Sequence, residues 1–196
     1  MKKTFFVMSF LLLMVVALSA CGGLRYSQVA PGAQDFKPQS IGVLPVDVGA
    51  YEEARGVADQ IISGVLVKKG WFADVVPPDK IKSQMDYNRT LRDMVVDYLT
   101  KLKTVNFSDP ALSKSIGENF QVDAFLVVNV DFWNYTVEGS DKVAKVGFSV
   151  DLIEAQTGKI VWRAGHHEVE DYWVIKPDLS EVAKKVAAIM INEMPH

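Results

Sequence analysis

The stretch from Asp123 to Trp133, DAFLVVNVDFW, limits the fold of this chain more than any other part of its sequence. Apolar and β-prone residues follow one another there almost without a break. This pattern is typical of a strand that is covered on both faces, because a strand with one wet face alternates instead. We therefore expect residues 123–133 to form the central strand of a sheet and the best part of the core.

Two more strands are predicted directly after this one. A turn at 138–141 precedes residues 146–152, in which apolar residues alternate with polar ones. A second turn at 156–158 leads to a strand over 160–169. Three consecutive strands joined by short turns predict an antiparallel meander.

The remaining periodicities predict helices and two short strands. Residues 40–47 form a short apolar run in which Pro45 marks an edge or an end, and residues 71–76 form another. Helical spacing occurs at 54–65, over much of 79–120 and at 179–190, with Gly70 as a C-cap, a capping box at Thr90 and Asp93, and an N-cap at Asp109. The predicted fold is α/β (α+β-like), with helices packed on a mixed sheet that ends in a three-strand antiparallel meander and a C-terminal helix.

The first twenty residues have the pattern of a secretory signal peptide. Lys2 and Lys3 precede an apolar segment over 5–18, and the small residues Ser19 and Ala20 follow it. The apolar segment is too short to span a bilayer comfortably as a permanent helix. We assign residues 1–20 to a signal that is removed.

The only cysteine of the chain, Cys21, directly follows this signal. Residues 18–21, LSAC, resemble the bacterial lipobox. The resemblance implies cleavage between Ala20 and Cys21, with acyl chains on the Cys21 sulfur and on the new amino group. Several acyl chains anchor a protein stably to a membrane, whereas one holds it marginally. By similarity to the common sorting rule, Gly22 favours the outer membrane, facing the periplasm, over the inner membrane.

The mature chain is expected to have two parts. Residues 21–39 are rich in glycine, proline and polar residues without apolar periodicity, which indicates a lipidated flexible tether. Residues 40–196 are expected to form a periplasmic α/β domain. With no second cysteine, this domain must be stabilised by its core rather than by a disulfide.

Several of these segments together resemble a broad group of bacterial periplasmic lipoproteins. The carrying segments are IGVLPV at 41–46, SIGENFQVDAFLVVNV at 115–130 and VDLIEAQTGKIVW at 150–162. The group includes the curli-secretion lipoprotein, the lipoprotein activators of penicillin-binding proteins, and surface-antigen lipoproteins of largely unknown function. The resemblance implies a two-layer or three-layer α/β domain over about residues 40–195.

This resemblance marks the fold and not an activity. The curli channel needs long segments that build a barrel across subunits, and this chain has little length to spare. The synthase activators need a long disordered tether, which residues 21–39 do not supply. Both departures favour the uncharacterised branch of the group.

Composition and motifs point away from several classes of function. The net charge of −3 gives no electrostatic reason to bind nucleic acid. His166, His167 and Glu168 lie on a predicted strand, where the two histidines point to opposite faces, so we expect exposed hairpin residues and no metal site. No nucleophile elbow, acid–base pair or phosphate loop is present. We expect no catalytic residue, no cofactor and no small-molecule substrate.

One aromatic cluster indicates an interface. Aromatic side chains dominate interfaces as well as cores, and Tyr172 and Trp173 lie beyond the last strand and before Pro177. Core packing is the default for the whole cluster, and the hypothesis beside it is that Tyr172 and Trp173 contact another subunit or envelope protein.

Together these observations predict a lipid-anchored, non-enzymatic cell-envelope protein that acts through self-assembly or protein–protein contact in the periplasm. A subunit of an outer-membrane secretion or channel assembly is the alternative, and a metal-dependent hydrolase is the least favoured.

Overall fold

The computed structural model describes residues 24–33 and 35–196. Signal residues 1–20 and Cys21 lie outside this range. The described residues form six strands and five α-helices, as follows: β1 (Tyr26–Val29), β2 (Ser40–Val43), α1 (Val57–Lys69), β3 (Asp74–Val76), α2 (Pro78–Tyr87), α3 (Arg89–Val105), α4 (Pro110–Phe120), β4 (Ala124–Glu138), β5 (Asp141–Glu154), β6 (Ile160–Asp171) and α5 (Leu179–Asn192).

The strands form one open mixed sheet in the order β1-β6-β5-β4-β2-β3. Strands β2, β3 and β4 are parallel, and β4, β5, β6 and β1 pair antiparallel. The predicted α/β class, the mixed sheet, the antiparallel meander and the C-terminal helix are confirmed. A parallel pair needs a crossover connection, and α1 to α4 occur in these connections.

Strand β4 lies in the middle of three layers. Side chains of Leu126 and Val128 pack on one face with α1 and α5, and those of Phe125 and Val127 pack on the other with α2, α3 and α4. All four are buried, so the continuous apolar run follows from helices that cover both faces. Beyond Val130 a β-bulge shifts the register, and the strand continues to Glu138.

Asp123 joins the start of β4 to the start of β2. Its Oδ2 accepts hydrogen bonds from the backbone N–H groups of Gln39 and Ser40, at 2.8 and 2.9 Å. Burial alone raises the pKa of this carboxyl, but the N–H groups stabilise its charged form, so its pKa lies below the ordinary value. The residue therefore fixes the alignment of two parallel strands.

Within the predicted flexible tether, residues 26–29 form a strand of the sheet instead. Tyr26–Val29 pairs antiparallel with residues 162–165, and the indole N–H of Trp162 donates to Ser27 Oγ at 2.9 Å. Ala33 is also buried. All four side chains of β1 are exposed, and backbone hydrogen bonds hold the strand on the sheet. An edge strand of this kind has no apolar alternation that a sequence pattern could reveal.

One predicted cap is also corrected. Helix α3 begins at Arg89, and the side chain of Asn88 accepts from the N–H of Leu91, so Asn88 is the N-cap in place of Thr90. The predicted caps at Gly70 and Asp109 are confirmed. Among the described residues, no helix combines the length and apolar character needed to cross a bilayer.

Candidate functional site

Strand β1 pairs with β6 at a defined position along that strand. Tyr26 pairs with Gly165, and β1 runs antiparallel to β6. Leu24 and Arg25, which precede Tyr26, therefore lie toward the end of the sheet at which β6 terminates, Asp171. The β4–β5 turn at 139–140 lies at this same end, because Lys142 of β5 accepts a backbone hydrogen bond from Tyr172. We call this the turn end of the sheet.

The two predicted contact residues have different surroundings at the turn end. Tyr172 is half-buried, and its ring packs edge to face on Tyr135 with 5.8 Å between centroids. Trp173 is 92% exposed. The structure thus places Tyr172 within the fold and leaves Trp173 free for contact, and whether Trp173 touches a partner stays a prediction.

Val174 and Ile175 continue the exposed apolar surface, with 88% and 85% of their area accessible. We call Trp173–Ile175 the apolar loop. The sequence analysis does not name Val174 and Ile175, although the sequence around them contains a pattern that could have identified them. The run WVI, between the end of a strand and Lys176-Pro177, has neither the period of a helix nor a partner strand to bury it.

Tyr135 braces the apolar loop on its C-terminal side. Its hydroxyl donates to the carbonyl oxygen of Pro177 at 2.8 Å, while its ring contacts Tyr172. The ammonium of Lys176 lies 4.5 Å from the same ring. Both ends of the loop are therefore attached to β4 and β5, and its three apolar side chains project from a fixed base.

The two histidines of β6 cannot both turn toward one ion, because they lie on opposite faces of the strand. As predicted, His166 and His167 point to opposite faces. His166 is 8% exposed with Nε2 2.8 Å from Glu168 Oε1, whereas the His167 ring packs on Phe132. The expectation of exposed hairpin residues is wrong for His166, because its face of β6 is covered by the core beneath α5. Burial lowers the pKa of His167. Across residues 24–33 and 35–196, no three His, Cys, Asp or Glu side chains are grouped as metal ligands would be.

A polar cleft of about 460 Å³ lies where β4 and β5 extend past α3. Ser149 donates to Asp131 Oδ1 at 3.0 Å, and Lys103 is 2.6 Å from Asp47. The hydrogen bond from Lys103 lowers the pKa of Asp47. The Ser149 hydroxyl lies beside the Asp131 carboxylate, and burial raises the pKa of Asp131. No histidine or cysteine is among the described residues that line this cleft, so no nucleophile–histidine pair is formed there.

The fold is shared with proteins of known structure. The chain superposes on the PelC dodecamer subunit of Paraburkholderia phytofirmans with a TM-score of 0.51 and 18% identity, over 84% of this chain and 94% of that one. Lipoprotein GNA1162 of Neisseria meningitidis gives a TM-score of 0.46 and 16% identity, over 80% and 97%. At 18% identity the similarity to the PelC subunit shows the fold alone. No family model matches the sequence, and no curated protein does.

Proposed function

We propose that this chain is a lipid-anchored, non-enzymatic protein of the bacterial cell envelope that acts through assembly with itself or with other envelope proteins. The observation that carries the proposal is the short distance between Cys21 and the folded domain. The described domain starts at Leu24, three residues after the proposed acylation site, and β1 docks on β6 directly afterwards.

This short connection determines what the anchor does. Three residues span at most about 11 Å, so the domain lies on the membrane surface and does not sample the compartment at large. Confinement to a surface raises the effective concentration of weakly interacting partners without any new contact. An anchored domain of this kind assembles at a total concentration at which a free one stays dispersed.

The location follows from the N-terminal residues. In this proposal residues 1–20 are removed, Cys21 carries the acyl chains, and Gly22 directs the protein to the outer membrane, facing the periplasm. The domain that follows is residues 24–196, because β1 belongs to the sheet.

Two observations support a role without catalysis. The carboxylates of Asp47, Asp59, Asp109 and Asp123 are occupied by lysines or by backbone N–H groups. The described residues that line the polar cleft beside α3 include no histidine or cysteine. Charged groups that bind one another in this way stabilise a fold, whereas a catalytic site leaves them open to substrate.

Self-assembly is the favoured mode of contact. PelC, which shares the fold, was solved as a dodecamer. A secretion or channel subunit is the second candidate, because a closed ring is one form that such assembly takes. Native mass spectrometry of the acylated protein in detergent separates the two, since a closed ring of many copies favours the second and a dimer or small oligomer the first. A monomer would contradict self-assembly and leave contact with other envelope proteins.

The anchor itself is tested by metabolic labelling with a fatty-acid analogue. Cys21→Ala is expected to abolish the label and leave a precursor that retains residues 1–20, whereas Ser19→Ala, which keeps a small residue there, should be labelled and processed normally. Gly22→Asp should move the labelled protein to the inner-membrane fraction. Label on the Cys21→Ala protein contradicts the proposal.

A further inference from the structure

We propose that the apolar loop, Trp173–Ile175, is a membrane-contact surface that inserts into the headgroup region of the bilayer holding the anchor. The proposal rests on the proposed function, because the acylated Cys21 supplies the bilayer. It adds to it an orientation: the turn end of the sheet faces the lipid.

The composition of the loop suits a lipid surface. Its three consecutive side chains are each at least 85% exposed, and Val137, on the neighbouring end of β4, is 62% exposed. Contiguous exposed apolar surface marks an interaction site rather than ordinary scatter. Tryptophan is enriched where membrane meets water, because its ring is apolar and its N–H is polar.

The loop is held in place before it meets any partner. Tyr172 donates its N–H to Lys142 at 2.9 Å, and Tyr135 donates its hydroxyl to Pro177 at 2.8 Å. The segment between these two attachments is three apolar residues and Lys176. Because its base is already ordered, insertion does not have to order a flexible segment.

The position of the anchor selects lipid as the occupant. Tyr26 is level with Gly165, and the six residues from there to Asp171 rise about 20 Å toward the turn end. The five residues from Tyr26 back to Cys21 can span at most about 18 Å. Cys21 can therefore reach nearly to the height of the loop, so the acyl chains and the apolar loop meet the same bilayer.

Charges at the turn end are mixed. Lys142 and Lys176 lie beside the loop, and Glu138, Asp141 and Asp171 lie at the same end. Because neither sign dominates, attraction to anionic lipid contributes little, and apolar insertion is the main contribution. The contact is therefore expected in vesicles of zwitterionic phosphatidylcholine.

A single spin label tests the orientation. The chain has one cysteine, and acylation blocks its sulfur, so a cysteine introduced by Val174→Cys is the only free thiol of the mature protein. The matched control is Gln156→Cys, an exposed position in the β5–β6 turn at the opposite end of the same strands.

Each acylated, nitroxide-labelled protein is reconstituted in phosphatidylcholine vesicles and floated in a density gradient. Electron paramagnetic resonance then measures collisions with oxygen, which partitions into lipid, and with a water-soluble nickel chelate.

We expect the label at 174 to show a several-fold higher ratio of oxygen to nickel collisions than the label at 156. Equal ratios in protein that floats with the vesicles would overturn the orientation and leave the anchor intact. Shielding of residue 174 from both reagents would show contact with protein, which overturns the lipid assignment. Wild-type protein that fails to float removes the anchor and this inference together.

Discussion

The ring of Tyr26 lies against Gly165, so closely that a β-carbon on residue 165 would come 2.2 Å from Tyr26 Cε1. These two residues face each other across the β1–β6 ladder. The absent side chain at position 165 is what allows the first strand of the domain to settle on the edge of the sheet.

Gly165→Ala is therefore expected to displace β1. We expect a loss of about 1–3 kcal/mol in the free energy of unfolding, because the added methyl overpacks the contact. Backbone amides of residues 27–29 should exchange with deuterium much faster than in the parent. Adding Tyr26→Ala to the same protein removes the clash, so the double variant should regain the slow exchange. Unchanged exchange in Gly165→Ala would show that the ring moves aside without cost.

Two helical glycines form a matched pair for testing the packing of α4 on the sheet. A β-carbon at Gly117 would lie 2.5 Å from the β-carbon of Ala155, whereas Gly64 of α1 has open space. Gly117→Ala should destabilise the domain by about 1–3 kcal/mol. Gly64→Ala should stabilise it by about 0.5–1 kcal/mol, since alanine restricts the unfolded chain and favours the helix. Urea unfolding measures both, and equal effects of the two changes would contradict the predicted contact.

Tyr98 gives the domain a specific weakness at alkaline pH. Burial of its ring raises the pKa of Tyr98 to about 12, although its hydroxyl is hydrogen-bonded to Ser108 at 2.8 Å. The unfolded chain releases this proton near pH 10 and the folded chain near pH 12. The contribution of Tyr98 to the free energy of unfolding is therefore fully present below pH 10 and is lost as the pH rises from 10 to 12. The two-unit difference corresponds to about 2.7 kcal/mol.

Tyr98→Phe should be less stable than the parent at pH 7 by about 1 kcal/mol, because one buried hydrogen bond is lost. Toward pH 12 the order should reverse, since phenylalanine has no proton to lose. Urea unfolding at a series of pH values follows the crossing. A constant difference between the two proteins across the series would show that Tyr98 ionises like an exposed tyrosine.

Substitutions at Asp59 and Lys82 distinguish the contribution of an ion pair to stability from that of a backbone hydrogen bond. Its Oδ1 accepts from the buried N–H of Val46 at 2.9 Å, and its Oδ2 is 2.5 Å from Lys82 Nζ. Asp59→Ala leaves that N–H unsatisfied and should cost about 1–3 kcal/mol. Lys82→Ala, the comparison, removes the ammonium but leaves the hydrogen bond from Val46 to the buried Asp59, so it should cost less than Asp59→Ala. If thermal unfolding shows the two costs to be equal, the ion pair is the larger contribution.

The layered architecture could be predicted because its cause lies in the local sequence. Residues 124–130 alternate between two cores that are both apolar, so the run lacks polar interruptions and identifies a central strand. Asp109 followed by Pro110 predicts the start of α4 because both residues satisfy the first turn locally. In each case the residues that form the sequence pattern are the same residues, or close neighbours of the residues, that form the predicted element.

What could not be predicted depends on contacts between distant parts of the chain. β1 is held by the backbone of β6, and the burial of His166 follows from its position under α5. Neither is encoded in the residues next to them. Of the apolar loop, the sequence analysis names Trp173 alone, although the run WVI before Lys176-Pro177 also contains Val174 and Ile175, whose exposure the structure shows.

The pairing of β1 with β6 also determines an order of events. Ser27 and Trp162 are 135 positions apart, so the strand that follows Cys21 has no place to dock until nearly the whole chain has been synthesised. Contacts of such long separation form late in folding. In the proposed function, an enzyme that acylates Cys21 before the chain is complete therefore acts while β1 has no partner strand to pair with.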